Sequence, residues 1–457
     1  MTEKKPVIVY GAGISGRGAA QVLADKGQQV YLYNDNPCTL AAELKMALEK
    51  VGGGLAIGEA AYKELLSKAG QLVLSPGIAC DSENVLLAEQ SGLEVISEVE
   101  LGYRIYGGHI AAITGTNGKT TTTTIVGEMF KCLPVPSAVG GNIGLALSKE
   151  VEQLPKEGWL AAELSSFQLE KVTTFAPDIA VVLNLTPDHM ERHHTMEAYG
   201  AAKENILRFQ KAEQVTVLNY DDPVVRGWAK DSKAQICFFS RKAVLENGIY
   251  MQDGDFIISW KGAKHKVCNI SELHLFGGHN EENVLAAIAC GFFAGVSVSD
   301  MADVLRNFKS IAHRIEYVTT INGVPYYNDS KATNTDSTIK ALEAFKDGHI
   351  ILLAGGHDKL TPLEDMMQLA REKTDALILL GAAKERFHEA ALKCGVKNII
   401  LADSFEDAVN KAYAIAKKPQ VVLLSPACSS FDMFNNYPER GNCFKKLVHA
   451  LEGGNKE

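Results

Sequence analysis

Two glycine loops carry most of the chemistry legible in this chain. The segment ITGTNGKTTTTT (113–124) follows an apolar run and precedes a helical pattern. In such a loop the backbone N–H groups of Gly115, Thr116, Asn117 and Gly118 can cradle phosphate oxygens. Lys119 would reach the β- and γ-phosphates, and Thr120 could place a hydroxyl on Mg²⁺. The usual G-x-x-x-x-G-K-[ST] spacing fails at its first position, Ile113, so the loop is a variant of the P-loop. Earlier in the chain Gly11, Gly13 and Gly16 form G-x-G-x-x-G after another strand pattern, with Asp35 at the end of the next. That spacing is the dinucleotide fingerprint, and alone it predicts NAD. Its physical content is only that a diphosphate can sit on a helix N-terminus, which a UDP-sugar satisfies as well. Ser75-Pro76-Gly77 is a further strand-end turn, expected on the same carboxyl edge.

Other side chains could hold a cation. Mg²⁺ prefers oxygen ligands. Glu163 ends a small apolar strand pattern in AAELSSFQL, which would put it beside the second loop. His189, Glu191, His193 and His194 crowd the segment NLTPDHMERH and its neighbour. In isolation such a cluster reads equally as polar loop surface. Lys203, in AYGAAKENI, would ordinarily be a solvated helical lysine.

The elements that must position these residues are α/β. Runs such as PVIVY (6–10), QVYLY (29–33), HIAAIT (109–114), DIAVVLNL (178–185), HIILLAG (349–355) and PQVVLLSP (419–426) alternate with helical patterns. These are parallel strands with crossover helices. The strand-then-glycine pattern restarts near residues 98 and 311. The reading is three domains: a Rossmann-like N-terminal domain (1–98), a central P-loop-type α/β domain (99–310) and a Rossmann-like C-terminal domain (311–457). A small antiparallel insert is expected at IYMQDGDFIISW (249–260), and a second hairpin at EYVTTINGVPYYN (316–328), turning on Asn322-Gly323. A length of 457 residues fits about three domains. The 46 basic and 55 acidic side chains leave a net charge of −9, which argues against a nucleic-acid partner. The nine cysteines form no CxxC pair, so neither a disulfide framework nor a zinc site is expected. No apolar run suits a membrane span and no signal peptide is seen, so a cytoplasmic monomer is the expectation.

GTNGKT (115–120), ELSSFQL (163–169), NLTPDHMERH (184–193) and GGHN (277–280) together resemble the ATP-dependent Mur ligases. NDSKATN (328–334) and LLSPACSSFDMF (423–434) resemble the branch that adds D-glutamate to UDP-N-acetylmuramoyl-L-alanine. Relatives adding other amino acids usually carry Asp-x-Ala-His where this chain has Asn328-Asp329-Ser330-Lys331. The resemblance covers essentially the whole chain. It implies a ligase of cytoplasmic peptidoglycan precursor synthesis: the substrate carboxylate takes the γ-phosphoryl group of ATP, and the amine of D-glutamate displaces phosphate from the acyl phosphate.

The resemblance also implies roles. Lys119, His189 and Lys203 would be catalytic, and Gly115–Thr121, Asn280, Arg314 and Asp329 would bind ATP across a cleft. Thr120 and Glu163 would hold one Mg²⁺; His189 would hold a second, with Lys203 as a carbamylated lysine supplying anionic oxygen. Gly13, Ser15, Gly16, Asp35, Asn36, Ser75 and Asn142 would contact the UDP substrate. Lys331, Thr333, Lys359, Ser430 and Phe431 would take D-glutamate, with the register of His357-Asp358-Lys359 open. Two other readings stand beside this one. An NAD-dependent oxidoreductase would use the first loop and leave the second unexplained. A degenerate ATP-binding protein would not need Lys119, Glu163, His189 and Lys203 together.

Overall fold

A computed structural model describes residues 5–273, 278–308, 312–345 and 347–453. Among the described residues, twenty strands build three sheets. The chain separates into two compact units. The first comprises 1–185, 197–273 and 282–307; the second comprises 186–196, 274–281 and 308–457.

The first unit holds two sheets. Strands β1 (Val7–Tyr10), β2 (Val30–Asn34), β3 (Gly54–Ile57), β4 (Gln71–Leu74) and β5 (Glu94–Ser97) form a fully parallel sheet in the order β3-β2-β1-β4-β5. Both faces are apolar, as crossover helices on both sides require. Strand order reverses between β1 and β4, so the loops after these strands flank the crevice where α/β sheets take ligands.

The second sheet runs through β6 (His109–Thr114), β7 (Ser137–Gly141), β8 (Trp159–Glu163), β9 (Ile179–Val182), β10 (Val215–Asn219), β11 (Gln235–Ser240), β12 (Gly248–Gln252), β13 (Asp255–Trp260) and β14 (Ala263–Asn269). Its order is β14-β13-β12-β11-β10-β9-β6-β8-β7. The expected hairpin at 249–260 is β12–β13, turning on Asp253 (φ 52°) and Gly254 (φ 81°). This antiparallel insert is continuous with the rest of the second sheet. β12 pairs in parallel with β11, and AKHKVCN adds β14 as a third antiparallel edge strand. The sequence reading passed over that strand because four of its seven residues are exposed.

In the second unit β15 (Glu316–Ile321), β16 (Val324–Asn328), β17 (Ile350–Gly355), β18 (Thr374–Leu380), β19 (Ile399–Leu401) and β20 (Val421–Leu424) form a sheet in the order β15-β16-β20-β17-β18-β19. Only the β15–β16 hairpin is antiparallel, with the expected turn at Asn322-Gly323. The loops after β16, β20 and β17 therefore emerge side by side at one carboxyl edge.

The two sheets of the first unit are joined through the helix Glu98–Tyr106. Ser97 caps it, and Gly107, in the left-handed region at φ 66°, ends it. Glu100, on its first turn, is fully buried. Its carboxylate accepts the backbone N–H groups of Thr173, Thr174 and Phe175, each at 3.0 Å, Arg104 Nε at 2.8 Å and the Thr174 hydroxyl. Burial by itself would push this carboxyl up; the donors outweigh it and hold it below the usual range. Gly102 lets the same helix approach Leu147 closely, since a Cβ there would lie 2.3 Å from Leu147 Cδ2.

Glu100→Gln should therefore lower stability by roughly 2–4 kcal/mol in urea unfolding at neutral pH. Because the folded carboxyl titrates below its unfolded value, its contribution is present above about pH 4 and fades as pH falls through the folded value. The wild-type advantage should shrink in acid; one that stays constant from pH 7 to pH 3 would refute this account.

Candidate functional site

The glycine loop after β6 is held from several sides within the first unit. Thr116 N–H donates to Asn184 O at 3.1 Å and Asn117 N–H to Asn184 Oδ1 at 2.9 Å; Asn184 Nδ2 donates back to Asn117 O. Gly118 is left-handed at φ 85°, and a Cβ there would meet Asn283 Oδ1 at 2.1 Å. The helix Lys119–Phe130 starts from this residue with no acidic side chain in its first turn, leaving the positive end of its dipole to an anion.

Two lysines converge on the loop. Lys119 Nζ donates to Gly115 O at 2.9 Å and Thr116 O at 2.7 Å. Lys203 is only 1% exposed, and its Nζ donates to the same Gly115 O at 2.8 Å. The Lys203 ammonium also lies 4.7 Å from the ring centroid of Tyr199, whose hydroxyl donates to Thr116 Oγ1 at 3.2 Å. Far from being solvated, Lys203 is buried and aimed at the glycine loop.

Glu163 stands at the end of β8, where it pairs in register with Ile113 of β6. It is 2% exposed. Oε1 accepts from Asn142 Nδ2 at 2.8 Å, while Oε2 is buried with no hydrogen-bond partner among the described residues. Thr121 Oγ1 is in the same state. Thr120, half-buried, opens the helix beside Lys119. Asn142, expected at the UDP substrate, thus sits on the second sheet next to Glu163.

The first loop forms a separate cradle on the first sheet. Gly11 (φ 99°) accepts from Ser75 Oγ at 2.9 Å, so the turns after β1 and β4 touch. Gly16 has a strict packing reason: a Cβ would meet Gly11 O at 1.8 Å. Gly13 is open, and Ser15 is half-buried on the helix that follows. Asp35 is exposed beside Asn36 after β2. Its carboxylate accepts the hydroxyls of Tyr10 (2.7 Å) and Tyr33 (2.9 Å) and the amide of Asn84 (3.1 Å). Burial, together with Asp35, pushes the Tyr10 hydroxyl up to about 12.

In the second unit, the β16 and β20 loops present the remaining candidates. Asp329 is buried; it accepts Ser425 Oγ at 2.8 Å and Ile315 N–H at 3.2 Å. Burial pushes its carboxyl up to about 6, against the opposing pull of Arg314, these two donors and Arg440. Arg314 Nε is buried and without a hydrogen-bond partner among the described residues. Lys331 Nζ donates to Tyr437 OH at 2.8 Å. Thr333 is half-buried, Ser430 is buried, and Phe431 is 70% exposed. Asn280 is buried on the helix Gly278–Ala294.

Around 357–359 the side chains take separate partners. Asp358 binds Arg386 through two hydrogen bonds of 2.6 and 2.7 Å, whereas Lys359 Nζ reaches Asp188 Oδ1 at 3.2 Å. Asp188 also accepts Asn334 Nδ2 at 2.9 Å and lies 3.6 Å from His189 Nε2. Burial opposes its ionisation, but Lys359, His189 and Asn334 hold it down at about 2. His189 itself is left-handed at φ 56°. Glu191 Oε1 lies 3.6 Å from its Nδ1. His193 is buried. Among the described residues no group of three or more His, Cys, Asp or Glu side chains forms a metal cage.

Sequence reasoning missed Asn184, Tyr199, Asn283, Asp188 and Arg440. Asp188 and Asn184 lay inside the quoted motif NLTPDHMERH, and Tyr199 is one turn before Lys203, so a signal existed for these. Asn283 and Arg440 had none.

Residues 113–291 match the Mur ligase middle domain, and residues 313–428 match the Mur ligase glutamate ligase domain. The chain belongs to the Mur ligase family, whose members use ATP. Within it, the chain is 42% identical over 449 residues to the UDP-N-acetylmuramoylalanine–D-glutamate ligase of Thermoanaerobacter sp. strain X514, covering 98% of both chains. It is 43% identical over 452 residues to the enzyme of the same name from Caldanaerobacter subterraneus subsp. tengcongensis, covering 98% of this chain and 99% of that one. The fold is shared with a pseudomurein peptide ligase type C from Methanothermus fervidus (TM-score 0.62, 18% identity, 98% and 100% of the two chains). It is also shared with the MurF ligase from Thermotoga maritima in complex with ADP (TM-score 0.60, 17% identity, 98% and 96%). No described helix is long and apolar enough to cross a membrane.

The raised carboxyl of Asp329 has a measurable consequence. Its contribution to stability is present below the unfolded value near pH 4 and is lost as pH rises through about 6. Asp329→Asn should gain stability relative to wild type across that window in urea midpoints. A difference that stays flat from pH 4 to pH 7 would contradict the burial argument.

Proposed function

We propose that the protein is an ATP-dependent ligase that adds D-glutamate to UDP-N-acetylmuramoyl-L-alanine in peptidoglycan precursor synthesis, releasing ADP and phosphate. The observation that carries the reading is full-length identity of 42–43% to relatives named for that reaction. The reading places the reaction in the cytoplasm, with a monomer as the working unit, in the three parts 1–98, 99–310 and 311–457.

The geometry supplies the means. Every reactant is an anion, so positioning and positive charge dominate catalysis. Gly115–Thr121 serve the phosphates, with the N–H groups of Thr116 and Asn117 held by Asn184 and the helix N-terminus facing the anion, and Lys119 swings from the loop carbonyls to the β- and γ-phosphates. Asn280, Arg314 and Asp329 serve the nucleotide. The unpartnered Oε2 of Glu163 and the Thr120 hydroxyl fit Mg²⁺, which takes few protein oxygens and completes its shell with phosphate and water. His189 serves a second Mg²⁺. When bound, the two ions neutralise charge on the transferring phosphoryl group. The substrate carboxylate, placed by Asn142, attacks the γ-phosphorus and gives an acyl phosphate. The D-glutamate amine then forms the amide as phosphate leaves.

Lys203 supports carbamylation on physical grounds. Lys119 and Lys203 share one acceptor, Gly115 O, so their nitrogens lie within about 6 Å, where two ammonium charges repel. A carbamate turns one of the two into an anionic oxygen donor and removes that repulsion. Gly13, Ser15, Gly16, Asp35, Asn36 and Ser75 line the cradle for the UDP portion. Lys331, Thr333, Lys359, Ser430 and Phe431 serve the two carboxylates of D-glutamate. An oxidoreductase reading finds no support, since it leaves the Lys119–Lys203–Glu163 arrangement without a task.

Two measurements test this. With UDP-N-acetylmuramoyl-L-alanine, ATP and Mg²⁺, phosphate release should require D-glutamate among a panel of amino acids; release with another amino acid only would overturn the specificity. Lys203→Ala should lower turnover by at least about 100-fold. Bicarbonate should not restore it, and a short carboxylic acid at high concentration should restore part. Turnover equal to wild type would remove the carbamate role.

A further inference from the structure

One buried side chain ties together the two loops assigned to D-glutamate. Arg440, on the helix Tyr437–Gly453, is 1% exposed. Its Nε donates to Ser330 Oγ at 3.0 Å and its Nη2 to Ser330 O at 2.8 Å. Nη2 also reaches Cys428 O at 3.1 Å, and Nη1 reaches Ser429 O at 3.2 Å. All three guanidinium nitrogens are thus spent on the residue before Lys331 and the two residues before Ser430.

The preceding turn of the same helix works on the first loop. Ser330 Oγ donates to Tyr437 O at 2.9 Å. Lys331 Nζ donates to Tyr437 OH at 2.8 Å, and its ammonium lies 4.4 Å from the ring centroid. Arg440 hydrogen-bonds only to carbonyl and hydroxyl oxygens among the described residues, and the nearby carboxylates of Asp432 and Asp329 offset its desolvation only in part. An apolar side chain would fill the space without burying a charge. What it could not do is fix a distance: a planar guanidinium holds its acceptors in a rigid fork, and a lysine ammonium does not.

We propose that Arg440, supported by Tyr437, is the positioning residue that sets the separation of Lys331 and Ser430, matching this part of the site to a five-carbon dicarboxylic amino acid. This rests on the D-glutamate reading above. Arg440 does not itself touch the amino acid; it acts through the two loops.

The test is steady-state kinetics of the full chain with Arg440→Lys, varying each of the three substrates in turn. The KM for D-glutamate should rise about tenfold, with the KM values for ATP and UDP-N-acetylmuramoyl-L-alanine within twofold of wild type. The preference in kcat/KM for D-glutamate over D-aspartate should fall, because a slackened spacing discriminates chain length less well. Equal changes in all three KM values, or an unchanged diacid preference, would overturn the proposal. If Arg440→Lys does not fold, Tyr437→Phe decides: it removes only the hydroxyl on Lys331 and should raise the same KM selectively, and an unchanged KM would overturn the proposal. Wild-type protein that forms acyl phosphate but does not turn over with D-glutamate would instead fail the underlying reading, independently of either variant.

Discussion

One carbonyl oxygen, that of Gly115, accepts from two lysine ammonium groups, and much of the first unit is arranged around that fact. Two ammonium charges within about 6 Å of each other repel. The loop that carries the carbonyl leads into a helix N-terminus, and Asn184 and Asn283 keep it in shape, Asn184 by taking the N–H groups of Thr116 and Asn117. Tyr199 packs beneath Lys203 and reaches Thr116, so lysine and loop are positioned by one helix. The chain's net charge of −9 is therefore no guide to this place, where two lysines converge on one carbonyl.

A similar economy operates in the second unit. Asp188 gathers Lys359, Asn334 and His189, and its low titration reflects donors that outweigh burial. Arg440 spans the β16 and β20 loops. Gly356 allows the β17 loop to approach them, since a Cβ there would meet Ser429 O at 2.5 Å. In each case a buried charged or amide group fixes distances between loops that have no regular structure of their own. Loop backbone buried in this way must find partners, and here it finds them in side chains.

Much of this was legible in sequence. The strand runs, both glycine loops and both hairpin turns follow from local rules: burial on both sheet faces makes apolar runs, and left-handed turn positions favour Asn, Asp and Gly. The edge strand β14 was not legible, because an exposed strand carries a polar pattern that matches a loop. Lys203 shows the same limit at a single residue. By pattern it is one helical lysine among many; burial and its bond to the Gly115 carbonyl distinguish it.

The sequence by itself determined the α/β class, the family and the residue types available to bind phosphate, metal and carboxylate, because motifs encode backbone geometry and donor chemistry over a few adjacent positions. Only the tertiary structure decided which of two neighbours, Asp358 or Lys359, faces Asp188. It also decided that Asn142 pairs with Glu163, and that Arg440 meets Ser330, 110 positions away in the chain. The physical reason is that hydrogen bonds and ion pairs depend on distances of a few ångströms in space, and strand order, not chain order, sets those distances.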